Sequence, residues 1–88
     1  MSLIRFTNHA IAKIEILKNH GFSVDTDLIK ECLTAPAKID TGRGERKIAQ
    51  MVYDEDHVLR VVYEERENGI LVITVYPGRR TRYENDSV

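Results

Sequence analysis

The first candidates for chemistry are three basic or titratable side chains near the start of the chain. His9, Lys13 and His20 recur at helical spacing, and at about 100° per residue they fall within roughly 60° of one another on a helix. The predicted apolar stripe of that helix lies beside them, so the three side chains border the edge where the helix meets a sheet. Histidine transfers protons near neutral pH and lysine neutralises phosphate. The alternative interpretation is a polar boundary face without chemistry.

A second candidate group lies at the end of the last predicted strand. Thr74 and Tyr76 share one side of that strand, because strand side chains repeat every two residues, and Arg79 and Arg80 follow. Thr74 is a polar residue in an apolar strand: either it is present for its β propensity or its hydroxyl lies in a site. Arg60 is a comparable charge within an apolar strand. It shares a face with Thr74 if the connecting loop has three residues, and lies on the other face if the loop has two.

Several kinds of site are excluded by their patterns. The sequence contains no glycine-rich phosphate loop, nucleophile elbow or redox cysteine pair. Three histidines and a single cysteine, Cys32, give no recognised zinc spacing. Cys32 falls on the apolar face of a predicted helix, which is typical of a core residue. We therefore expect neither a metal nor a cofactor.

The candidate residues must be positioned by a helical half of the chain followed by a strand half. Leu3–Phe6 predicts a short strand, and Thr7 or Asn8 then caps the first helix. That helix runs to about His20, and Gly21 ends it in a left-handed conformation. Its apolar residues recur every three or four positions, as in a helix with one buried face.

The remaining elements follow from a second helix and a change of period. The second helix begins at Ser23 or Asp25 and ends before Pro36, since the residue preceding a proline is pushed out of the helical region. Alternating apolar residues predict strands over residues 47–53, 57–64 and 70–76, with a weaker strand at Lys38–Thr41. Their short loops predict antiparallel neighbours, and the helices must cover one face of the sheet. The predicted fold class is α+β, with two helices on one face of an antiparallel sheet of three to five strands.

Composition limits the size of the protein and its partners. The 88 residues predict a single domain, 1–88, with an ordered core at about residues 3–80 and a flexible tail at residues 81–88. Thirteen basic residues against fourteen acidic ones argue against DNA binding through bulk charge. Local basic patches could form a single site that binds a polyanion. The alternative is that they belong to an ordinary solvated surface with charges of both signs. No apolar run is long enough to span a bilayer, no secretory signal is visible, and the single cysteine suits a reducing cytoplasm.

Four short motifs, taken together, carry a family resemblance over about residues 4–83. They are His9-Ala10-x-x-Lys13, Asn19-His20-Gly21-Phe22-Ser23, Ala35-Pro36 and Val72-Ile73-Thr74-Val75-Tyr76. On these motifs the chain resembles the prokaryotic family of unknown function numbered 4258, which is similar to the RelE-like toxins of toxin–antitoxin systems. The family pattern usually has arginine where this chain has Lys13, and often where it has His20. Lysine lacks the bidentate fork with which arginine holds phosphate.

The resemblance implies a toxin-like, metal-independent endoribonuclease that cuts RNA by attack of the ribose 2′-OH on the adjacent phosphate. Such a reaction needs a base, an acid and a cation that stabilises the developing charge. The implied base or acid is His9. The full set of implied catalytic residues is His9, Lys13, Arg60, Thr74 and Tyr76, and the implied substrate-binding residues are His20, Arg79 and Arg80.

The alternative function is a non-catalytic module of the same fold that binds RNA or a protein. The expected partners are RNA and either an antitoxin protein or a second copy of the chain, without DNA or a membrane. The near-neutral net charge of -1 disfavours a translating ribosome as the substrate. The two functions differ in whether a general base and a phosphate-binding cation converge in one pocket.

Overall fold

The computed structural model describes residues 3–80, so the predicted flexible tail at residues 81–88 lies outside the described residues. Its elements, in chain order, are β1 (Leu3–Phe6), α1 (Asn8–Asn19), α2 (Thr26–Thr34), β2 (Lys38–Thr41), β3 (Arg46–Val52), β4 (His57–Arg66) and β5 (Gly69–Arg79). The predicted α+β class is confirmed, with two helices and a sheet of five strands.

Both helices are capped by the residues that the sequence suggests. The Thr7 hydroxyl accepts the Ala10 N–H at 3.0 Å and donates to the Ile73 carbonyl at 2.8 Å, so the same side chain starts α1 and ties it to β5. The Asp25 carboxylate accepts the Leu28 N–H at 2.8 Å and starts α2. After α1, Gly21 adopts a φ of 88°, which favours glycine.

The strands form one mixed sheet in the order β1-β5-β4-β3-β2. Strands β2 to β5 are antiparallel neighbours, as predicted, but β1 pairs with β5 in parallel. The expectation of an entirely antiparallel sheet is therefore wrong for β1. The reason is that the chain passes through two helices and three strands between β1 and β5, so no short loop constrains their relative direction.

The backbones of β1 and β5 approach closely at Gly69. This glycine has a φ of 150°, and a Cβ at its position would collide with the carbonyl and backbone nitrogen of Leu3. A side chain there would therefore be blocked by β1 as well as strained by its backbone conformation. Gly69 fixes the position of β1 beside the β4–β5 hairpin.

A β-bulge decides which residues share a face of the sheet. Arg66 pairs with Gly69, so the β4–β5 turn has two residues, and that length alone would put Arg60 and Thr74 on different faces. The register shifts between Val62 and Tyr63, so the extra residue of β5 reverses this outcome. Arg60 then pairs with Tyr76 and lies on the same face as Thr74.

The core lies between the helices and one face of the sheet. Ala10 and Leu17 of α1 and Ile29 and Cys32 of α2 pack into one buried cluster with the sheet residues Ala49, Leu59, Val61, Tyr63, Val72 and Val75. Both helices therefore cover the same face, as predicted. Cys32 is a fully buried core residue, and burial, together with the nearby Glu31 carboxylate, raises the pKa of its thiol to about 11. The thiol is thus protonated at neutral pH and unsuited to nucleophilic chemistry.

Candidate active site

The structure separates the two groups of candidate residues that the sequence suggests. His9 and His20 are exposed and Lys13 is half-buried on α1, whereas Thr74 belongs to β5. Thr74 pairs with Val62, and both lie on the face of the sheet opposite the helices, because their neighbours Val61 and Val75 face the helical core. The sheet therefore stands between the α1 residues on one side and Thr74, Tyr76 and Arg60 on the other.

The structure therefore does not bring His9 and Lys13 together with Thr74 or Tyr76. The side of β5 that Thr74 occupies depends on the bulge. His20 Nδ1 lies 2.8 Å from the Ile16 carbonyl oxygen, so this imidazole closes the end of α1. These observations favour the polar boundary interpretation of the α1 residues.

One polar row crosses four strands on the face opposite the helices. We call Lys38, Gln50, Arg60 and Tyr76 the Arg60 row, since each residue pairs with the next across β2, β3, β4 and β5. The Arg60 guanidinium donates to Asp40 at 3.2 Å and lies 5.8 Å from the centre of the Tyr76 ring. Arg60 is only 9% exposed, so its guanidinium interacts with a carboxylate and an aromatic ring of the protein.

Gln50 is the other buried polar member of the Arg60 row. Its side chain lies between Lys38 and Arg60 and is 5% exposed. Its Oε1 atom accepts no hydrogen bond from residues 3–80. Lys38 Nζ is 3.6 Å from the same Asp40 carboxylate that holds Arg60, so this one acid faces two cations. Arg60 and Tyr76, as predicted candidates, are thus neighbours, but in a largely buried and ion-paired cluster.

A second polar row crosses the other face at one end of the sheet. We call Tyr53, His57 and Arg79 the His57 row: the Tyr53 N–H donates to the His57 carbonyl at 3.0 Å, and His57 pairs with Arg79. His57 lies two residues before Leu59, which faces the helical core, so the row is on the helix side. The His57 side chain is 34% exposed and Arg79 is exposed. A tyrosine, a histidine and an arginine therefore stand side by side within reach of solvent.

Asp54 holds the imidazole of His57. His57 Nδ1 is 3.0 Å from Asp54 Oδ1, which also accepts the Asp56 N–H at 2.8 Å. The Asp56 N–H, followed by the hydrogen bond and charge of His57, lowers the pKa of the Asp54 carboxyl, so Asp54 is ionised at neutral pH. An ionised carboxylate only accepts hydrogen bonds, so Nδ1 is the donor and the Nε2 lone pair of a neutral His57 is left to accept a proton.

The loop between the helices forms a wall beside the His57 row. The Phe22 ring meets the His57 ring edge to face at 5.0 Å between centres and the Tyr53 ring at 5.6 Å. The Ser23 N–H donates to the Tyr53 hydroxyl at 2.8 Å, which leaves the proton of that hydroxyl to be donated elsewhere. On the opposite side, the Arg80 N–H donates to the Asp56 carbonyl at 2.9 Å and holds the turn in place. The arrangement places an oriented proton acceptor, a hydroxyl donor and a cation in one row.

Sequence reasoning missed Tyr53, Asp54 and His57 as site residues. The available signal was an aspartate three residues before a histidine that opens a strand, with a tyrosine closing the previous strand. The turn at residues 54–56 brings Tyr53 next to His57 across the hairpin. Arg79, a predicted substrate-binding residue, joins them only through the register of β4 and β5.

Residues 3–80 hold no group of three or more histidine, cysteine, aspartate or glutamate side chains that could bind a metal ion. Over the same part of the chain, neither helix has the length and hydropathy needed to cross a membrane. No family model, curated protein or solved structure matches the chain.

Proposed function

We propose that the protein is a metal-independent endoribonuclease whose proton-transfer group is His57. The observation that carries the proposal is an imidazole held by a carboxylate, at 3.0 Å, between a tyrosine and an arginine on adjacent strands. General acid–base chemistry needs a base whose tautomer and orientation are held by a third group. Cleavage of RNA needs in addition a cation for the charge that develops on the phosphate.

The reaction divides among the three residues of the His57 row. His57 Nε2 takes the proton of the ribose 2′-OH, whose oxygen attacks the neighbouring phosphorus. The O2′–P bond forms and the P–O5′ bond breaks, leaving a 2′,3′-cyclic phosphate on one fragment and a 5′-hydroxyl on the other. The Tyr53 hydroxyl supplies the proton to the departing 5′ oxygen. All atoms and charges are balanced without a metal ion.

Arg79 is the cation of this site. It lies directly across from His57 on β5 and is exposed, so its guanidinium is accessible to a phosphate of the substrate. A guanidinium binds two phosphate oxygens at once, which stabilises the charge that accumulates on them in the transition state. Arg80 supports the site through its backbone, because its N–H holds the Asp56 carbonyl of the turn.

The proposal keeps the reaction implied by the resemblance to RelE-like toxins and changes the residues that perform it. His9 and Lys13 are on α1, where no carboxylate orients His9 among residues 3–80. Arg60 is largely buried beside Asp40 and is used in the fold. The acid–base function therefore moves from His9 to His57, and among the expected cations Arg79, not Arg60, stabilises the charge on the phosphate.

The test is cleavage of single-stranded RNA by the purified full chain with a chelator present. Replacing a general acid–base typically costs about 10²- to 10⁴-fold in rate, so we expect that loss for His57→Ala. The matched controls are His9→Ala and His20→Ala, both on exposed positions of α1 or its end, which should cleave at the wild-type rate. End-group analysis should find a 2′,3′-cyclic phosphate.

Three results would contradict the proposal. Cleavage that requires added Mg²⁺ excludes the metal-independent mechanism. A His57→Ala variant that cleaves as fast as the wild type, with His9→Ala inactive, returns the acid–base function to α1. Absence of cleavage by the wild-type protein on free and ribosome-bound RNA favours the second candidate function.

That second candidate is a non-catalytic module that binds RNA or a protein, either an antitoxin protein or a second copy of the chain. The observation that favours a protein partner is the exposure of two large apolar side chains on α1, Ile11 at 56% and Ile16 at 50%. Light scattering coupled to size exclusion separates the two forms of this candidate. A dimer supports self-association, and a monomer leaves RNA or a different protein as the partner.

A further inference from the structure

The edge of the sheet formed by β1 has a set of backbone groups that no other strand uses. The Leu3 N–H donates to the Asn68 carbonyl just before β5, at 3.4 Å, and the Thr7 N–H donates to the Val72 carbonyl of β5, at 3.0 Å, so the alternate residues Ile4 and Phe6 direct their backbone groups to the other side. No strand among residues 3–80 pairs with that side of β1. An open strand edge is a template for pairing with another chain.

A groove lies beside this edge, on the face opposite the helices. It has a volume of about 480 Å³ and is lined by Leu3 and Arg5 of β1, by Arg66 at the end of β4, by Leu71 near the start of β5, and by the turn between these two strands. Leu71 pairs with Arg5, so an apolar side chain and a guanidinium lie next to each other there. Leu3 is 50% exposed. The groove therefore offers an apolar surface beside a positive charge.

The charged side chains that line the groove indicate which kind of partner segment it can bind. Arg66 is held by Glu64 at 2.5 Å, whereas Arg5 makes no ion pair with residues 3–80. Glu67 of the β4–β5 turn adds one acid to the lining, whereas Arg5 belongs to the edge strand itself. Two copies of the chain paired antiparallel through β1 would bring their Arg5 side chains together on one face. This repulsion disfavours a second copy as the occupant.

The other edge of the sheet is less suited to the same use. β2 follows Pro36 closely and carries Lys38 and Asp40, which already form an ion pair at 3.6 Å. Proline and charged side chains are the features by which edge strands avoid pairing with other chains. β1 has neither a proline nor a paired charge, and Gly69 holds it firmly against β5.

We propose that the β1 edge binds an extended segment of a partner protein, in which apolar residues alternate with acidic ones. The backbone of the segment pairs with Ile4 and Phe6, as in other cases of strand addition. Side chains alternate between the two faces of a strand, so its acidic side chains lie on the face opposite the helices, against Arg5, and its apolar side chains lie on the helix side, beside Ile4 and Phe6. This inference does not depend on the ribonuclease proposal, because Gly69 and Arg79 are at opposite ends of β5.

The test uses a capped seven-residue peptide of alternating valine and glutamate and the ¹⁵N-labelled full chain. We expect the Ile4 and Phe6 amides to exchange with solvent at least about tenfold more slowly when the peptide is bound. A matched peptide with lysine in place of glutamate should bind at least about fivefold more weakly. In Arg5→Glu, whose substitution site is exposed, this preference should reverse.

A second version of the peptide makes the test independent of any protein variant. N-methylation of the glutamate-containing peptide at alternate residues removes its N–H donors and should abolish binding. The proposal is overturned if the amides of Ile4 and Phe6 are unprotected at millimolar peptide, or if the protected amides are those of Ile39 and Thr41 on β2. It is also overturned if Arg5→Glu keeps the preference for glutamate. RNA cleavage, measured in parallel, should be unchanged in Arg5→Glu.

Discussion

Two polar rows cross the sheet on opposite faces, and they differ in what their charges do. In the Arg60 row, Arg60 is 9% exposed and its guanidinium is held by Asp40 and the Tyr76 ring. In the His57 row, the imidazole is 34% exposed and its carboxylate partner fixes one ring nitrogen while the other is left for chemistry. A charged side chain inside an apolar strand is thus a weaker sign of a site than an oriented, accessible histidine at a strand end.

If the two rows differ in this way, the largest effect on RNA cleavage is expected for a substitution that removes the imidazole of His57. His57→Gln keeps a polar side chain of similar length but has no group that titrates near neutral pH. We expect RNA cleavage to fall by about 10²- to 10⁴-fold while the midpoint of urea unfolding stays near that of the wild type. Rates under single-turnover conditions and a urea titration measure the two quantities. A large loss of stability with normal cleavage would reverse the roles of the rows.

The next effect concerns stability and the Arg60 row. Arg60→Ala removes the side chain that joins Asp40 to Tyr76 and leaves a cavity on the buried face, so we expect a loss of about 2–3 kcal/mol in the free energy of unfolding. Arg60→Met keeps most of the volume, and the Asp40 side chain is 36% exposed and can be hydrated. It should cost less than half as much in a denaturant titration. Cleavage by the folded fraction of either variant should stay within about twofold of the wild type.

A smaller effect on activity is expected at Asp54. Asp54→Asn keeps the shape of the turn but places a neutral amide against His57 Nδ1, which no longer stabilises the protonated imidazole. Loss of such an orienting partner typically costs about 10- to 100-fold in activity. A rate equal to that of the wild type would show that Asp54 only shapes the turn.

The smallest expected effect is the pH dependence that Asp54, in the turn between β3 and β4, gives to the stability of the fold. The folded pKa of Asp54 is lowered, first by the Asp56 N–H and then by His57, so the folded state holds fewer protons than the unfolded chain. Its contribution to stability is therefore complete above the unfolded pKa and is lost as pH falls through the lower folded value. Unfolding midpoints of the wild type and Asp54→Asn should converge on acidification. A difference that stays constant with pH would exclude this origin.

The helices and strands of the protein could be predicted from sequence signals between residues that are close along the chain. The Thr7 hydroxyl and the Asp25 carboxylate start the helices, and Pro36 and the alternation after residue 38 separate helices from strands. These signals act over a few residues, so no knowledge of the rest of the fold is needed. The α+β class, both helices on one face and the burial of Cys32 followed from them.

The site depended on pairings that such local signals do not specify. The bulge in β5 puts Thr74 and Tyr76 on the face that Arg60 of β4 occupies, away from α1, and so separates them from His9 and Lys13. A bulge costs little where packing against both faces favours it, and its position is set by the contacts of the whole sheet.

Residue types, helix caps and strand periods were thus determined by the sequence itself, because each depends on neighbours along the chain. The tertiary structure alone decided that β1 lies parallel to β5 and that Arg79 stands across from His57. Both depend on register between strands, and a shift of one residue moves every side chain to the other face. Chemistry requires side chains from different strands to meet, so register, and not residue type, decided where the candidate site lies.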